Sequence, residues 1–128
     1  MKYKQLLQLV NNLNAVIGSQ ETKTAKKLFQ IYNKVKPYHE AYNAEVETLR
    51  LDAASTDDKD CLLLDERGNY KFSKDGIKKL TKDIDELNDK QFDFQIINVV
   101  NPEGLQDFTF LSDWTTGIEF NKQEEEEL

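Results

Sequence analysis

The stretch SKDGIKKLTKDIDELNDKQFDFQI, residues 73–96, changes its period partway along. In the first part Ile77, Leu80, Ile84 and Leu87 recur at spacings of three and four, so they share one narrow stripe of a helix while the lysines and carboxylates face water. Ser73 stands where a hydroxyl can cap the first exposed N–H groups of that helix. After Lys90 the period falls to two, with Phe92, Phe94 and Ile96 alternating against Asp93 and Gln95, the pattern of a half-buried strand. A helix that runs into a strand points to an α+β domain.

Upstream, Cys61–Leu64 and Asn69–Phe72 flank Asp65-Glu66-Arg67-Gly68, which predicts a short hairpin whose glycine supplies a positive φ. The small, polar segment Asp52–Asp60 has no period and is expected to be a loop. Before it, Ala25, Leu28, Phe29, Tyr32, Val35, Tyr38, Tyr42, Val46 and Leu49 keep one helical phase straight through Pro37. Proline removes a hydrogen bond and crowds the preceding turn, so the expectation is one long helix kinked at Pro37. Ser19 or Thr22 is expected to cap it, with Glu21 near its positive end. Leu6, Leu9, Val10, Leu13, Val16 and Ile17 predict a first helix, closed at Gly18 by the left-handed conformation glycine tolerates.

Downstream, Asn101-Pro102-Glu103-Gly104 predicts a turn, and the segment holding Phe108, Phe110, Leu111, Trp114, Ile118 and Phe120 predicts one or two short strands. The expected plan is thus two or three helices, one long, packed with a small antiparallel β-sheet. Residues 1–121 form the single domain of that plan and 122–128 an acidic tail.

Charge is distributed unevenly. Residues 1–36 carry seven lysines against one glutamate, whereas the chain as a whole has a net charge of −7. Glu124, Glu125, Glu126 and Glu127 make an unbroken acidic block, which stays solvated unless a basic surface receives it. Direct nucleic-acid binding of the ordinary kind is disfavoured, because phosphate contacts need a net basic footprint. No apolar run approaches the roughly 18 residues of a membrane span. The opening residues Met1–Gln5 have no apolar core with a cleavage site behind it, so the protein is expected to act where it is made.

Most catalytic chemistries lack their residues. His39 is the one histidine and falls inside the long helix, where a structural role is expected. His39 and the single Cys61 together fall short of the three or four ligands zinc needs, and Cys61, in a strand-like run, is expected to be a small core hydrophobe. The five glycines are scattered singly, so no phosphate-cradling loop can be built. Asp57, Asp58 and Asp60 cluster, but Leu62 stands where an EF-hand loop needs an oxygen ligand, and a solvated loop is the expectation. No catalytic, cofactor or metal site is therefore expected.

The words KPYHEAYNAEVE (36–47), DERGNYKF (65–72) and DELNDKQFDF (85–94) resemble a group of small tailed-bacteriophage proteins of unknown function. That resemblance covers about half the chain, ends before residue 102 and brings no catalytic residues. It implies a viral protein of the host cytoplasm or the virion, with an accessory or structural role.

Three functions are weighed. The first is a virion structural or assembly subunit of head, neck, tail or decoration type, which binds other viral structural proteins or itself. In it Lys23, Lys26, Lys27 and Lys34 receive Glu124–Glu127 of a neighbour. Core is the default expectation for the large aromatics; Trp114, set among polar residues, is the best interface candidate, with Phe108 and Phe110 as alternates. The second is an acidic inhibitor of a host defence or transcription enzyme that mimics nucleic acid. The third, a carboxylate and divalent-ion enzyme, has only Asp57, Asp58 and Asp60 in its favour.

Overall fold

The computed structural model describes residues 1–121. Helix α1 spans Tyr3–Ile17, α2 Thr22–Ala53 and α3 Lys74–Asp89; strands β1 (Ile97–Asn98) and β2 (Thr115–Thr116) follow, with a 3-10 turn over Thr109–Leu111 between them. The predicted stripe of α1 is buried at Leu6, Leu9, Val10 and Leu13, and the Gln5 side chain reaches back to accept the Lys2 backbone N–H at 2.7 Å. Gly18 closes α1 at φ −70°, in the right-handed region, so its freedom to go left-handed is not used. Glu21, not Ser19 or Thr22, is the N-cap of α2, and its side chain makes no capping hydrogen bond.

Helix α2 continues for 32 residues through Pro37. Pro37 is exposed, while Val35 before it and Tyr42 after it are buried in the core. An internal proline costs about 3 kcal/mol. Burial of an apolar side chain returns about 1.5–3 kcal/mol, so the stripe on both sides of Pro37 outweighs the one lost hydrogen bond. Ser73 caps α3 by accepting from the Gly76 N–H at 3.0 Å. Gly76 lets α3 approach the end of α2, since a Cβ there would lie 2.6 Å from the Ala53 carbonyl oxygen. Of the α3 stripe only Leu87 is buried; Leu80 and Ile84 are half-buried and Ile77 is exposed, so α3 leans on the core by its C-terminal end.

The antiparallel sheet is corrected to something much smaller. Among the described residues the one pair of strands, β1 and β2, is parallel, with Ile97 opposite Thr115 and Asn98 opposite Thr116. The chain between them reverses at Pro102–Leu105, where Gly104 adopts φ +89°, and reverses again through the 3-10 turn, so β2 arrives in the direction of β1. The hairpin survives only as isolated antiparallel bridges, Thr56 with Leu62 and Leu64 with Tyr70. Its turn is as expected: Gly68 has φ +80°, and the Asp65 carboxylate accepts the N–H groups of Arg67 and Asn69.

Phe92 and Phe94 are half-buried between exposed Asp93 and Gln95 as read, but Ile96 is exposed, and no strand forms: the backbone pairs only at the start of the segment, where Gln91 bridges Lys2 and the Phe92 N–H donates to the Met1 carbonyl oxygen at 2.8 Å. Aromatic side chains hold the segment instead. Phe92 stacks on Tyr3 with centroids 4.8 Å apart, Tyr38 meets Phe92 at 5.7 Å and Phe94 at 4.9 Å, and Phe94 meets the edge of Trp114 at 4.9 Å. This ladder joins α1, α2 and the 109–116 region into one core that also contains Leu28, Ile31, Leu105 and Leu111.

Tyr42 links α2 to α3 by donating its hydroxyl to Asn88 Oδ1 at 2.6 Å. Replacement by phenylalanine leaves that oxygen without its partner and is expected to cost about 1 kcal/mol. Burial holds the Tyr42 phenol above its usual 10.0. The neutral phenol is thus the form the fold favours: its contribution is complete below pH 10 and is lost as pH rises through the raised value. Urea midpoints measured from pH 8 to 11.5 should fall more steeply for the natural chain than for Tyr42→Phe.

Gly117 follows β2 at φ +93°, and a Cβ there would run into the Val99 carbonyl oxygen. Gly117→Ala is expected to lose about 1–3 kcal/mol by urea unfolding. Gly18→Ala, at a right-handed φ with open space around it, is the contrasting substitution and should be neutral or mildly stabilising.

Candidate functional site

Thr22, Lys23, Lys26, Lys27, Gln30, Ile31 and Lys34 form adjacent pairs and single residues that recur every three or four positions on α2, so the helix stacks them on one face. Opposite them run residues 97–101 and Leu105, and the cleft between the two walls has a volume of about 630 Å³. Buried Ile31 and Leu105 are its apolar base, and Val100, 89% exposed, stands on the rim. Lys27 Nζ donates to the Glu103 carbonyl oxygen at 2.6 Å. Beside it the backbone at Gly104 passes so near Thr24 that a Cβ would lie 2.9 Å from Oγ1. These two approaches fasten the 101–105 loop to α2 and fix the far wall of the groove.

The electrostatics are one-sided. No aspartate or glutamate side chain lines the groove, and none of its four lysines forms a salt bridge among the described residues. Three of them, Lys23, Lys26 and Lys27, lie within the first two turns of α2, whose first turn has no acidic residue. Lys23, in the first turn, opposes the helix dipole at a cost of about 0.3–1 kcal/mol, with only Glu21 at the N-cap to offset it, and the lysines repel one another. The N–H groups of that helix end add further positive potential to the groove. A carboxylate-bearing ligand would turn each of these repulsions into an attraction.

The four lysines singled out in the sequence are therefore gathered into one site. The three aromatic candidates are not part of it. Trp114 is buried at 4% exposure with its ring against Phe94, the core position expected by default, so it is not the interface candidate its polar neighbours suggested. Phe108 and Phe110 are half-buried and pack against the same core. Glu124, Glu125, Glu126 and Glu127 lie outside the described residues. What sequence reasoning missed is the second wall, Ile97 to Asn101 with Leu105. Its one available signal was Val99-Val100, an apolar pair placed directly before the Asn101-Pro102 turn.

Other candidates stay apart. Cys61 is an exposed free thiol, not the core residue expected. Asp57 Oδ1 accepts the N–H groups of Lys59 and Cys61, so its carboxylate closes its own loop. Among the described residues no group of three or more His, Cys, Asp or Glu side chains is placed to hold a metal ion, and no helix is long and apolar enough to cross a membrane.

The chain matches no family model, no curated protein and no solved structure.

Proposed function

We propose that this chain is a non-enzymatic interaction protein whose lysine-lined groove receives an acidic segment of a protein partner. The observation that carries the proposal is the pairing of four lysines on one wall with an aliphatic wall and base, and no carboxylate between them. That combination suits a peptide in which glutamates or aspartates sit beside aliphatic side chains. It suits nucleic acid poorly: the groove holds no aromatic ring on which a base could stack and no arginine to fork onto a phosphate.

The setting we propose is viral assembly, with the chain bound to other structural proteins of a tailed phage. The resemblance of residues 36–94 supports that setting. An inhibitor that imitates nucleic-acid phosphates is the weaker reading, because the acidic face of α3 is interleaved with lysines, Lys79 with Asp83 at 3.3 Å being one such pair. Mass spectrometry of purified particles tests the setting. The chain should copurify in fixed stoichiometry, and Lys23→Glu with Lys26→Glu and Lys34→Glu should release it. Its absence from both particles and assembly intermediates would overturn the assembly role.

A further inference from the structure

The backbone of the groove's far wall alternates in what it bonds. Ile97 N–H donates to the Trp114 carbonyl oxygen at 3.0 Å and Val99 N–H to that of Thr116 at 2.9 Å, so these two residues turn their backbone groups toward β2. In an extended chain the residues between and after them turn the opposite way. The N–H groups of Asn98 and Val100 accordingly have no hydrogen-bond partner among the described residues. The groove faces that open edge. Side chains of an extended segment alternate between two faces, so the five consecutive residues 97–101 can line one cleft only by presenting their edge to it. Folded proteins blunt an exposed strand edge with charged side chains or proline. Ile96–Asn101 has neither, in a chain of which 32% of residues are charged, and β-branched Val100 stands exposed beside the cleft.

Resting on the groove reading above, we infer that the acidic segment enters as an extended strand added to the open edge of β1, its backbone bonding to Asn98 and Val100. Length permits it. At about 3.3 Å per residue, residues 97–101 run about 13 Å, and at 1.5 Å per residue Lys23 to Lys34 run about 16 Å, so about five extended residues span both walls. A strand there sends alternate side chains to opposite faces: aliphatic ones meet the base at Ile31 and Leu105, and the carboxylates between them meet the lysine ammonium groups. The ligand is therefore a segment in which acidic and aliphatic residues alternate, not an amphipathic helix, whose like residues recur every three or four positions. Charge decides against a second copy's β1 as the occupant. Edge-to-edge pairing of two copies would bring the lysines beside one edge up to those beside the other, whereas an acidic strand meets them with opposite charge.

The test titrates the full chain with three labelled peptides of alternating glutamate and leucine: unmodified, N-methylated at every leucine, and N-methylated at every glutamate. Each methylation set removes the N–H groups along one edge of the extended peptide. Because only one edge faces β1, one set should bind about tenfold or more weaker than the other. Saturating unmodified peptide should also slow amide hydrogen exchange at Asn98 and Val100 about tenfold or more. Equal affinity of the two methylated peptides, or unchanged exchange at both amides with the unmodified peptide bound, would overturn strand addition while leaving the groove reading intact. Failure of the unmodified peptide to bind would overturn both.

Discussion

Trp114→Ala is expected to lower the stability of the chain by about 3–5 kcal/mol, the usual cost of truncating a large buried aromatic. The ring is 4% exposed and meets Phe94 edge-on, at the end of the aromatic ladder that starts at Tyr42 and Tyr3. Its backbone carbonyl also accepts from Ile97 N–H at 3.0 Å, at the start of the β1–β2 pairing. The cavity left by alanine therefore opens where the far wall of the groove is attached to the core. Because small domains are stable by only about 5–15 kcal/mol, the substitution takes a large share of the total. Urea unfolding followed by circular dichroism measures it. As this is the one tryptophan in the chain, its emission in the natural protein should be blue-shifted and resist acrylamide quenching. A red-shifted, readily quenched tryptophan with unchanged stability in Trp114→Ala would restore the surface-anchor role.

The polar neighbours of Trp114 point to a surface position it does not occupy, because burial there is not set by local composition. Ser112, Asp113 and Thr116 are exposed, and the chain after the Thr109–Leu111 turn points Trp114 and Thr115 inward, Trp114 against Phe94 and the rest of the core. The helices were legible for the opposite reason: the stripes of α1 and α2 are long, and their period is fixed by backbone geometry whatever packs against them. Strands are not determined that way. Phe92 and Phe94 alternate with polar residues, and the alternation correctly gives the inward face, but a ladder needs a second backbone within hydrogen-bonding range. Met1 to Tyr3 supply one only at Lys90 to Phe92, and beyond it the rings of Tyr3 and Tyr38 pack against Phe92 and Phe94 instead.

The site was half legible. A helical period assembles Lys23, Lys26, Lys27 and Lys34 on one face from sequence alone, and like charges gathered at the positive end of a helix conflict with local stability, a mark of function. The other wall depends on a long-range return of the chain, in which Lys27 holds the Glu103 carbonyl and Gly104 presses against Thr24. No local pattern contains that pairing.

Charge reversal of the three exposed lysines, Lys23→Glu, Lys26→Glu and Lys34→Glu, is the second large expected effect. Each exposed ion pair to a bound carboxylate is worth up to about 1 kcal/mol, so the three together carry about 100-fold in affinity. Stability should hold or rise slightly, since glutamate near the N-terminus of α2 agrees with the helix dipole. Lys27 is left in place because it fastens the loop through Glu103. The central claim, that this groove takes an acidic and partly aliphatic peptide, is tested most directly by fluorescence anisotropy. A labelled peptide of alternating glutamate and leucine is titrated against the chain ended at Asn121, which keeps the whole described core, and against the same chain with the three lysines reversed. The account predicts saturable binding at 50 mM NaCl that weakens about tenfold or more at 300 mM and is lost in the reversed chain. A peptide that fails to bind the first chain, or binds both chains equally well, would contradict it.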